Sequence, residues 1–477
     1  MKTTPRTRTT RLMAGLFLVG LAWSSPCKAA PAPSRTFGDM VGLNIKYSQG
    51  EPQSDLPLLK ELGVKWVRDN VGWPEIEPAA RNYAEFPQAF RDRLSFYKQN
   101  NIGVVFLLAY ENAKAYPATP ENPLNPLNPQ AFGGYAAQVA RGLKASGVRF
   151  VLEIWNEPHN FTIQKMAGGE WNGKLPSPWV DHYLQMAQQA VSQVKLVDPQ
   201  IRLLSDDDMW IIHPWYLEKG VPAALDGFGF HPYWGESSGP EMTAVSQETG
   251  WAKPFTLVDA DRSFHSAVRR LREQGQIKMG KTPALWATEW GQPVDGKAPY
   301  SLLTPDGKST ADSVAAGIPR AFISAADAGV EVVCWFSSYD SVDGAMGLRS
   351  NDGKRRPSFN AFKTMTQQLG AYVLAKHLIG ADHRTSGVQA YLFRSPQNSK
   401  IVMWNIDGEA PFVVNETVRN PIRIVDVQGR DVPRKIVNGR LQLTLSQSPI
   451  YISGLPDEVS LQAAPPAVAT KPVYFFP

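Results

Sequence analysis

The hydrophobic positions of this chain form short apolar runs that alternate with amphipathic segments as far as about residue 370. Eight of these runs predict β-strands. Several are almost continuously apolar, which is typical of parallel strands that are buried on both faces. The predicted strands span residues 40–45, 64–69, 103–110, 148–155, 201–205, 225–233, 284–290 and 330–336.

The segments between the strands have helical periodicity, most clearly at 55–63, 179–197 and 263–275. Asp55 is suited to cap the start of the first of these helices, and Gly63 to follow its end. Eight strands alternating with helices predict an α/β fold, a (β/α)₈ TIM barrel over residues 34–370. An open doubly wound sheet is the alternative, but no G-x-G-x-x-G turn follows the first strand.

Beyond residue 370 the pattern changes to short strand-like runs separated by turn residues. This pattern predicts a small C-terminal antiparallel β-sandwich over residues 371–455. The segment 456–477 is rich in Pro and Ala and predicts an irregular tail.

Residues 1–29 have the pattern of a secretory signal peptide: a basic start, an apolar segment at 12–23 and small residues before position 30. We therefore expect a periplasmic or secreted protein without a transmembrane span in its mature part. Cleavage would leave Cys334 as the remaining cysteine, so no internal disulfide is expected. A lipid anchor on Cys27 is disfavoured because Ser24-Ser25-Pro26 is a poor lipobox.

The charge of the chain argues against nucleic acid as a partner. Its 49 basic and 44 acidic residues give a net charge of +5, but five of the basic residues and none of the acidic ones lie in 1–29. The mature chain is therefore balanced and lacks a basic field. Aromatic residues make up 10% of the chain, which favours a neutral polymer as partner, and we expect a monomer.

Two glutamates end predicted strands in polar motifs. Glu157 lies in Asn156-Glu157-Pro158 after the fourth strand, and Glu289 lies in Thr288-Glu289-Trp290 at the end of the seventh. The carboxyl ends of all barrel strands open on one face, so the two carboxylates could lie opposite each other. Hydrolysis of a glycosidic bond needs such a pair. The alternative is two unrelated surface glutamates.

These motifs resemble those of glycoside hydrolase clan A, the retaining (β/α)₈ glycosidases, most closely family 39 and next family 5. The resemblance covers about residues 37–370. It implies that Glu157 is the acid/base, that Glu289 is the nucleophile and that Asn156 binds the sugar 2-hydroxyl.

The same resemblance implies further substrate-binding residues at strand ends. Arg68 would lie near the nucleophile, His231 and Tyr233 would line the cleft, and Trp335 would stack on a sugar and be followed by a non-prolyl cis peptide. The alternatives are a salt bridge of Arg68 with a neighbouring acid, a buried core histidine, and core packing of Trp335.

Several tryptophans lie in or beside predicted loops on the same face: Trp73, Trp210, Trp215, Trp234 and Trp290. An indole packs well on the apolar C–H patches of a pyranose, so these residues are candidate sugar platforms, with Trp73 and Trp290 foremost. Core packing is the alternative for each of them.

Two other motifs point to different chemistry. Residues 235–239 match the G-x-S-x-G pattern of a serine esterase with Ser237 as nucleophile, but Pro240 follows directly, which is the wrong context. Asp206-Asp207-Asp208 could bind a cation, yet no further ligand spacing accompanies the triplet. A polar rim or a solvated loop is the preferred interpretation, and no metal or cofactor is predicted.

The sequence thus predicts an exported retaining glycosidase that acts on β-linked polysaccharide, and it favours an endo-acting enzyme on a bacterial exopolysaccharide. The family 39 resemblance implies β-xylosides, iduronides or exopolysaccharide, and the family 5 resemblance implies β-glucans or β-mannans. An exo-acting enzyme, a non-catalytic carbohydrate-binding protein and a partner of polysaccharide-secretion machinery are the alternatives.

Overall fold

The computed structural model describes residues 35–159, 162–169, 177–207, 212–234, 239–242, 261–294, 309–414 and 421–455. The predicted signal peptide at 1–29, the tail at 456–477, Trp210 and Ser237 lie outside these residues. Among the helices of the described ranges, none is both long and apolar enough to span a membrane.

Eight parallel strands form a closed barrel in sequence order, with β1 paired to both β2 and β8. The predicted TIM barrel is confirmed, and each predicted strand overlaps an observed one. The strands are β1 Val41–Asn44, β2 Trp66–Asp69, β3 Gly103–Leu108, β4 Phe150–Ile154, β5 Leu203–Asp207, β6 Gly227–Phe230, β7 Ala284–Trp290 and β8 Val332–Trp335.

The described helices follow the strands and surround the barrel. They are α1 Leu56–Glu61, α2 Trp73–Ile76, α3 Gln88–Gln99, α4 Pro129–Ser146, α5 Thr162–Ala167, α6 Pro178–Val197, α7 Ile212–Lys219, α8 Phe264–Met279, α9 Ala311–Asp327 and α10 Pro357–Leu369.

The prediction for the C-terminal end of α1 is confirmed, and the prediction for its N-terminal cap is wrong. Gly63 has a φ of 71°, the left-handed conformation expected just after a helix. Asp55 does not cap the helix with its side chain. Its carboxylate instead lies 2.8 Å from Arg349 Nη1, and this ion pair takes the side chain away from the helix start.

Alternate residues of each strand face the barrel interior, as the period of two requires. The lower interior is apolar and contains Trp66 and Trp286, whose rings meet edge to face at 4.7 Å. Glycines make room for these bulky rings: a Cβ on Gly103 would lie 2.5 Å from the Trp66 ring. One step further toward the carboxyl ends of the strands, the inward positions become polar, and the functional site begins there.

The C-terminal strands form two antiparallel sheets. One has the order β13-β16-β11-β10-β9 and the other β12-β15-β14. The bounds are β9 Val373–Ile379, β10 Val388–Arg394, β11 Ser399–Asn405, β12 Ala410–Val413, β13 Arg423–Val425, β14 Lys435–Val437, β15 Arg440–Leu445 and β16 Ile450–Ser453.

The two sheets enclose a small apolar core of their own, as expected for a β-sandwich. Leu392 and Ile452 of the larger sheet share it with Phe412 and Leu441 of the smaller one. Strand β14 was not predicted, because its three residues are all exposed and lack an apolar face pattern. The opposite face of the larger sheet packs on the barrel, for example through Phe393 against Phe37 at 5.4 Å.

Candidate active site

A layer of buried charged side chains lies at the carboxyl ends of the barrel strands. Its members come from five different strands or the residues that follow them: Arg68, Glu153, Glu157, Asp206, His231 and Glu289. Arg68, Glu153, Asp206, His231 and Glu289 are each at most 8% exposed. Burying so many charges is unfavourable unless they pair with one another, so their mutual contacts decide what the layer can do.

Arg68 is the centre of this layer. Its Nε donates to Glu153 Oε2 at 2.5 Å, its Nη1 donates to Glu289 Oε1, and its Nη2 donates to Asn156 Oδ1 at 2.8 Å. Burial by itself would lower the pKa of Arg68, but the charges of Glu153, Glu289 and Asp206 raise it well above its usual value. The guanidinium is therefore a permanent cation that fixes the orientation of Glu289 and Asn156.

Glu289 has a hydrogen-bond donor on each carboxylate oxygen. Arg68 donates to Oε1, and the Tyr233 hydroxyl donates to Oε2 at 2.8 Å. Burial and the charges of Glu289 and Glu157 raise the pKa of Tyr233 well above its usual value, so it stays a neutral donor. A carboxylate held by a donor on each oxygen keeps one orientation, as a nucleophile requires.

Glu157 follows β4 in a left-handed backbone conformation with a φ of 40°. Such a conformation costs about 1–3 kcal/mol for a residue with a side chain. Its N–H donates to Asp206 Oδ2 at 3.0 Å, which holds the residue in this conformation. The side chain is turned toward His231, whose Nδ1 lies 2.7 Å from Glu157 Oε1.

His231 joins the two halves of the layer. Its Nδ1 contacts Glu157 and lies 3.7 Å from Glu289 Oε2, while its Nε2 lies 3.2 Å from Asp206 Oδ1. Burial would lower the pKa of this imidazole, but Asp206 and Glu289 and the hydrogen bonds to Asp206 and Glu157 raise it well above its usual value. This raised pKa favours an imidazolium, which donates from Nδ1 to Glu157 and faces the Asp206 carboxylate with Nε2.

The two candidate catalytic carboxyl groups are close together. One oxygen of Glu157, one oxygen of Glu289 and one ring nitrogen of His231 all lie within 4.8 Å of one another. A short separation of this kind leaves no room for a water molecule between the carboxylate and a sugar carbon.

The same atoms could ligate a divalent metal ion, as could Glu153, Asp206 and His231. In both sets a carboxylate already receives a hydrogen bond from the Arg68 guanidinium. A metal ion would have to displace that cation and the imidazolium proton, which does not favour a resident metal.

The aspartates after the fifth strand are not the polar rim or solvated loop that the sequence predicts. Strand β5 continues through Asp207, and Asp206 and Asp207 are both completely buried. Asp206 faces the barrel interior, and Asp207 faces outward, where it pairs with His159 and accepts from Tyr216 at 2.7 Å. The pair therefore holds the segment around Glu157 from both sides; Asp208 lies outside the described residues.

The predicted tryptophan platforms are wrong for the described residues. Trp73, Trp290 and Trp335 are 0% exposed, and Trp215 and Trp234 are buried as well. Trp73 stacks on Tyr135 at 5.4 Å and donates to Glu77, while Trp290 and Trp335 both pack against Trp234.

The register of β7 and β8 explains why the side chains of Trp290 and Trp335 point away from the site. Ala287 pairs with Val333 but Trp290 pairs with Trp335, so β7 contains one extra residue. Such a bulge reverses the alternation and turns Glu289 inward and Trp290 outward. Trp335 follows the inward-facing Cys334 and therefore also points outward.

The expected cis peptide lies one residue later than predicted, between Phe336 and Ser337. Phe336 rather than Trp335 reaches the site: its ring meets that of Tyr233 at 6.2 Å, and Lys46 Nζ lies 3.9 Å above it. Lys46 in turn pairs with Asp343 at 2.8 Å.

Tyr110 is a second aromatic residue that the sequence analysis missed. It is 36% exposed and packs edge to face on Trp155 at 5.7 Å. Burial of its hydroxyl raises the pKa of Tyr110, the charges of Glu289, Glu157 and Asp206 raise it further, and Arg68 opposes them. Its place at the last position of the third predicted strand was the available signal.

Comparisons with protein-family models and with curated proteins found no match. The structure is similar to a family 39 glycoside hydrolase from Bacteroides cellulosilyticus WH2, with TM-score 0.68 and 18% identity over 89% of this chain and 83% of that one. It is also similar to a GH39 enzyme from Xanthomonas axonopodis pv. citri, with TM-score 0.54 and 14% identity over 87% and 94%.

A family 30 subfamily 8 xylanase from Clostridium acetobutylicum gives TM-score 0.52 and 13% identity over 88% of this chain and 97% of that one. At these levels of identity the similarities establish the shared fold, a barrel with an appended sandwich.

Proposed function

We propose that this protein is a retaining glycoside hydrolase with Glu289 as the nucleophile and Glu157 as the acid/base. The observation that carries the proposal is the pair of carboxyl groups with oxygens within 4.8 Å, of which Glu289 is held by Arg68 and Tyr233 and Glu157 by His231. Retaining enzymes have such a short separation, whereas inverting enzymes have roughly 6.5–9.5 Å. The shared fold with family 39 and family 30 glycoside hydrolases supports the proposal.

In the first step a Glu289 oxygen attacks the anomeric carbon and the bond to the leaving oxygen breaks. The leaving oxygen takes the Glu157 proton, and a glycosyl ester of Glu289 remains. Arg68 and Tyr233 hold the Glu289 carboxylate in line for this attack.

In the second step the Glu157 carboxylate removes a proton from water. The water oxygen attacks the anomeric carbon, the ester bond breaks, and Glu289 is released as a carboxylate. Two inversions at the same carbon give net retention of configuration. His231 stays beside Glu157 in both steps and stabilises it whenever it is charged.

We propose as substrate a β-linked extracellular or periplasmic polysaccharide cleaved in an endo manner. The signal segment and the partly exposed Tyr110 ring beside the carboxylates support this proposal. The predicted tryptophan platforms do not support it, because Trp73, Trp290 and Trp335 are buried. Product sizes from a polysaccharide array test it: a ladder of oligosaccharides is expected, and one dominant monosaccharide would refute endo-action.

A 2-fluoro glycoside of the preferred sugar tests the mechanism. Its slow deglycosylation traps the glycosyl-enzyme, and peptide mass spectrometry should find the label on Glu289. Product NMR at early times should show the configuration of the substrate. Label on another residue, or inverted product, would refute the assignment; absence of any product on the array would favour a carbohydrate-binding protein.

A further inference from the structure

Glu153 lies directly beneath the catalytic pair and has no role in the steps above. It is completely buried on β4, and Arg68 Nε donates to its Oε2. Among the described residues, its other oxygen Oε1 has no hydrogen-bond partner. An oxygen of Glu153, an oxygen of Asp206 and a ring nitrogen of His231 lie within 4.8 Å of one another.

The surroundings of Glu153 Oε1 contain oxygen atoms. A Cβ on Gly229 would lie 2.6 Å from this oxygen, 3.0 Å from Thr288 Oγ1 and 3.3 Å from the Ser205 carbonyl oxygen. The glycine therefore leaves a small space that these three oxygens share. A buried carboxylate oxygen without a donor is costly, whereas a carboxylic acid O–H would face the Thr288 hydroxyl and the Ser205 carbonyl oxygen across this space.

The charges of the layer also indicate that Glu153 is protonated. Among the described residues, four carboxyl groups (Glu153, Glu157, Asp206 and Glu289) face two cations (Arg68 and His231), and none of the six side chains is more than 18% exposed. Net neutrality therefore requires two of the four carboxyl groups to be protonated.

The contacts of the four carboxyl groups indicate which two are anions and which two carry the protons. Glu289 has donors on both oxygens, and Asp206 accepts from the Glu157 N–H and faces the His231 imidazolium. These two are the anions. One proton then belongs to Glu157 as the general acid, and the second remains for Glu153.

The groups that face Glu153 come from five strands or the residues that follow them: Arg68 of β2, Asp206 of β5, His231 after β6, Thr288 of β7 and Cys334 of β8. Burial, with Asp206 adding and Arg68, His231 and the Thr288 hydroxyl opposing, raises the pKa of Glu153 to about 7. Burial also raises the pKa of the Cys334 thiol, so that group adds no charge.

We propose that Glu153 is a positioning residue that works as a neutral carboxylic acid. Its carbonyl oxygen accepts from Arg68 Nε and fixes the guanidinium, while its proton leaves the positive charge of Arg68 to Glu289. An ionised Glu153 would instead compete with the nucleophile for the same cation. This inference rests on the proposed function for its catalytic consequence, but not for the protonation state.

Glu153→Gln tests the inference, because an amide has the shape of the protonated acid and still offers a carbonyl oxygen to Arg68. At pH 5.5 we expect kcat within about threefold of the wild type and a Tm within about 2 °C. Glu153→Leu removes the acceptor for Arg68 Nε; we expect kcat to fall by more than about tenfold with KM little changed.

The pH dependence of stability gives a readout that does not depend on activity. The folded pKa of Glu153 is raised, so its contribution to stability is full below its unfolded value and is lost as pH rises toward about 7. Between pH 5 and 8 the Tm of the wild type should therefore fall relative to the Tm of Glu153→Gln. The infrared band of a protonated carboxyl group should also be weaker in the variant at pH 5.5.

Glu241→Gln is the matched control, because Glu241 is also a buried glutamate and accepts from Arg320 on both carboxylate oxygens. It should lose Tm at pH 5.5, where Glu153→Gln does not. The inference is overturned if Glu153→Gln loses more than about 100-fold in kcat or as much Tm as Glu241→Gln, because Glu153 would then be a needed anion. If the protein hydrolyses no glycoside, the Tm and infrared measurements still decide the state of Glu153.

Discussion

Two buried ionic clusters of this protein differ in their ratio of carboxyl groups to cations. The cluster at the carboxyl ends of the barrel strands contains four carboxyl groups and two cations. Among the described residues, the cluster where the sandwich meets the barrel contains one of each: Arg320 donates to both oxygens of Glu241, at 2.8 and 2.6 Å, and Trp404 donates to Oε1 at 2.9 Å. The first cluster must hold exchangeable protons to be neutral, whereas the second is neutral without any.

The balanced cluster has a clear structural place. Glu241 lies in the connection that follows Tyr233, Arg320 lies on α9, and Trp404 lies on β11 of the sandwich. Its hydrogen bonds therefore fasten the sandwich to a helix of the barrel and to a segment that leaves the site. In this protein the cluster with more buried carboxyl groups than cations is the candidate active site. The cluster in which Arg320 and Glu241 pair is a structural junction between the barrel and the sandwich.

The largest expected effect is that of removing the nucleophile. Glu289→Gln should lower kcat by about 10⁴-fold or more, because no other group can form the glycosyl ester. The Tm should stay close to that of the wild type, since the amide still accepts from Arg68 and Tyr233. Glu331→Gln is the control: Glu331 pairs with Arg202 at the start of β8, at the opposite end of the barrel, and should leave kcat unchanged. Activity retained in Glu289→Gln would refute the assignment.

Removing the acid/base should give a loss that depends on the leaving group. Glu157→Gln should lower kcat/KM by about 10²–10⁴-fold for substrates with poorly acidic leaving groups, and much less for an activated aryl glycoside. Added azide should accelerate the variant and give a glycosyl azide of retained configuration, because azide needs no general base. A loss that is the same for both kinds of substrate would contradict the role of Glu157.

The balanced cluster should respond in stability rather than in chemistry. Glu241→Ala leaves the Arg320 charge buried without its partner, and such a loss costs about 3–5 kcal/mol. Denaturant unfolding should show this loss, while kcat of the remaining folded protein at 25 °C stays near that of the wild type. Replacing Glu241 and Arg320 together by methionine should recover much of the stability. A large fall in kcat with unchanged stability would remove the distinction between the two clusters.

The smallest effect concerns the charge of His231. Its folded pKa is raised well above the usual value, so its contribution to stability is full below its unfolded pKa and is lost as pH rises through the folded one. Nitrogen NMR of labelled histidine should show both ring nitrogens protonated at pH 8. A neutral ring at that pH would break the charge count of the catalytic cluster.

Much of the fold could be predicted from local patterns. The eight strands and the sandwich follow from apolar runs and turn residues, and the motifs around Glu157 and Glu289 were visible at strand ends. Glu153 was not singled out, and Asp206 was assigned to a polar rim or a solvated loop, because a carboxylate within an apolar strand gives no local sign of its partners. Arg68 meets them from 85 and 138 positions away.

The tryptophans show the other limit. Trp290 and Trp335 occur at strand ends, where the sequence predicts sugar platforms, but one extra residue in β7 turns the first outward. A bulge changes hydrogen-bond register between strands, and neither strand alone contains that information. Tyr110 and Phe336 reach the site instead.

The sequence by itself determined the order of elements, the barrel class and the two glutamates at the ends of β4 and β7, because these depend on patterns that are local in the chain. The tertiary structure decided which side chains face the interior, which carboxyl groups share Arg68, and how deeply each is buried. Protonation states depend on those distances and on burial, so the division of roles among the four acids exists only in the folded barrel.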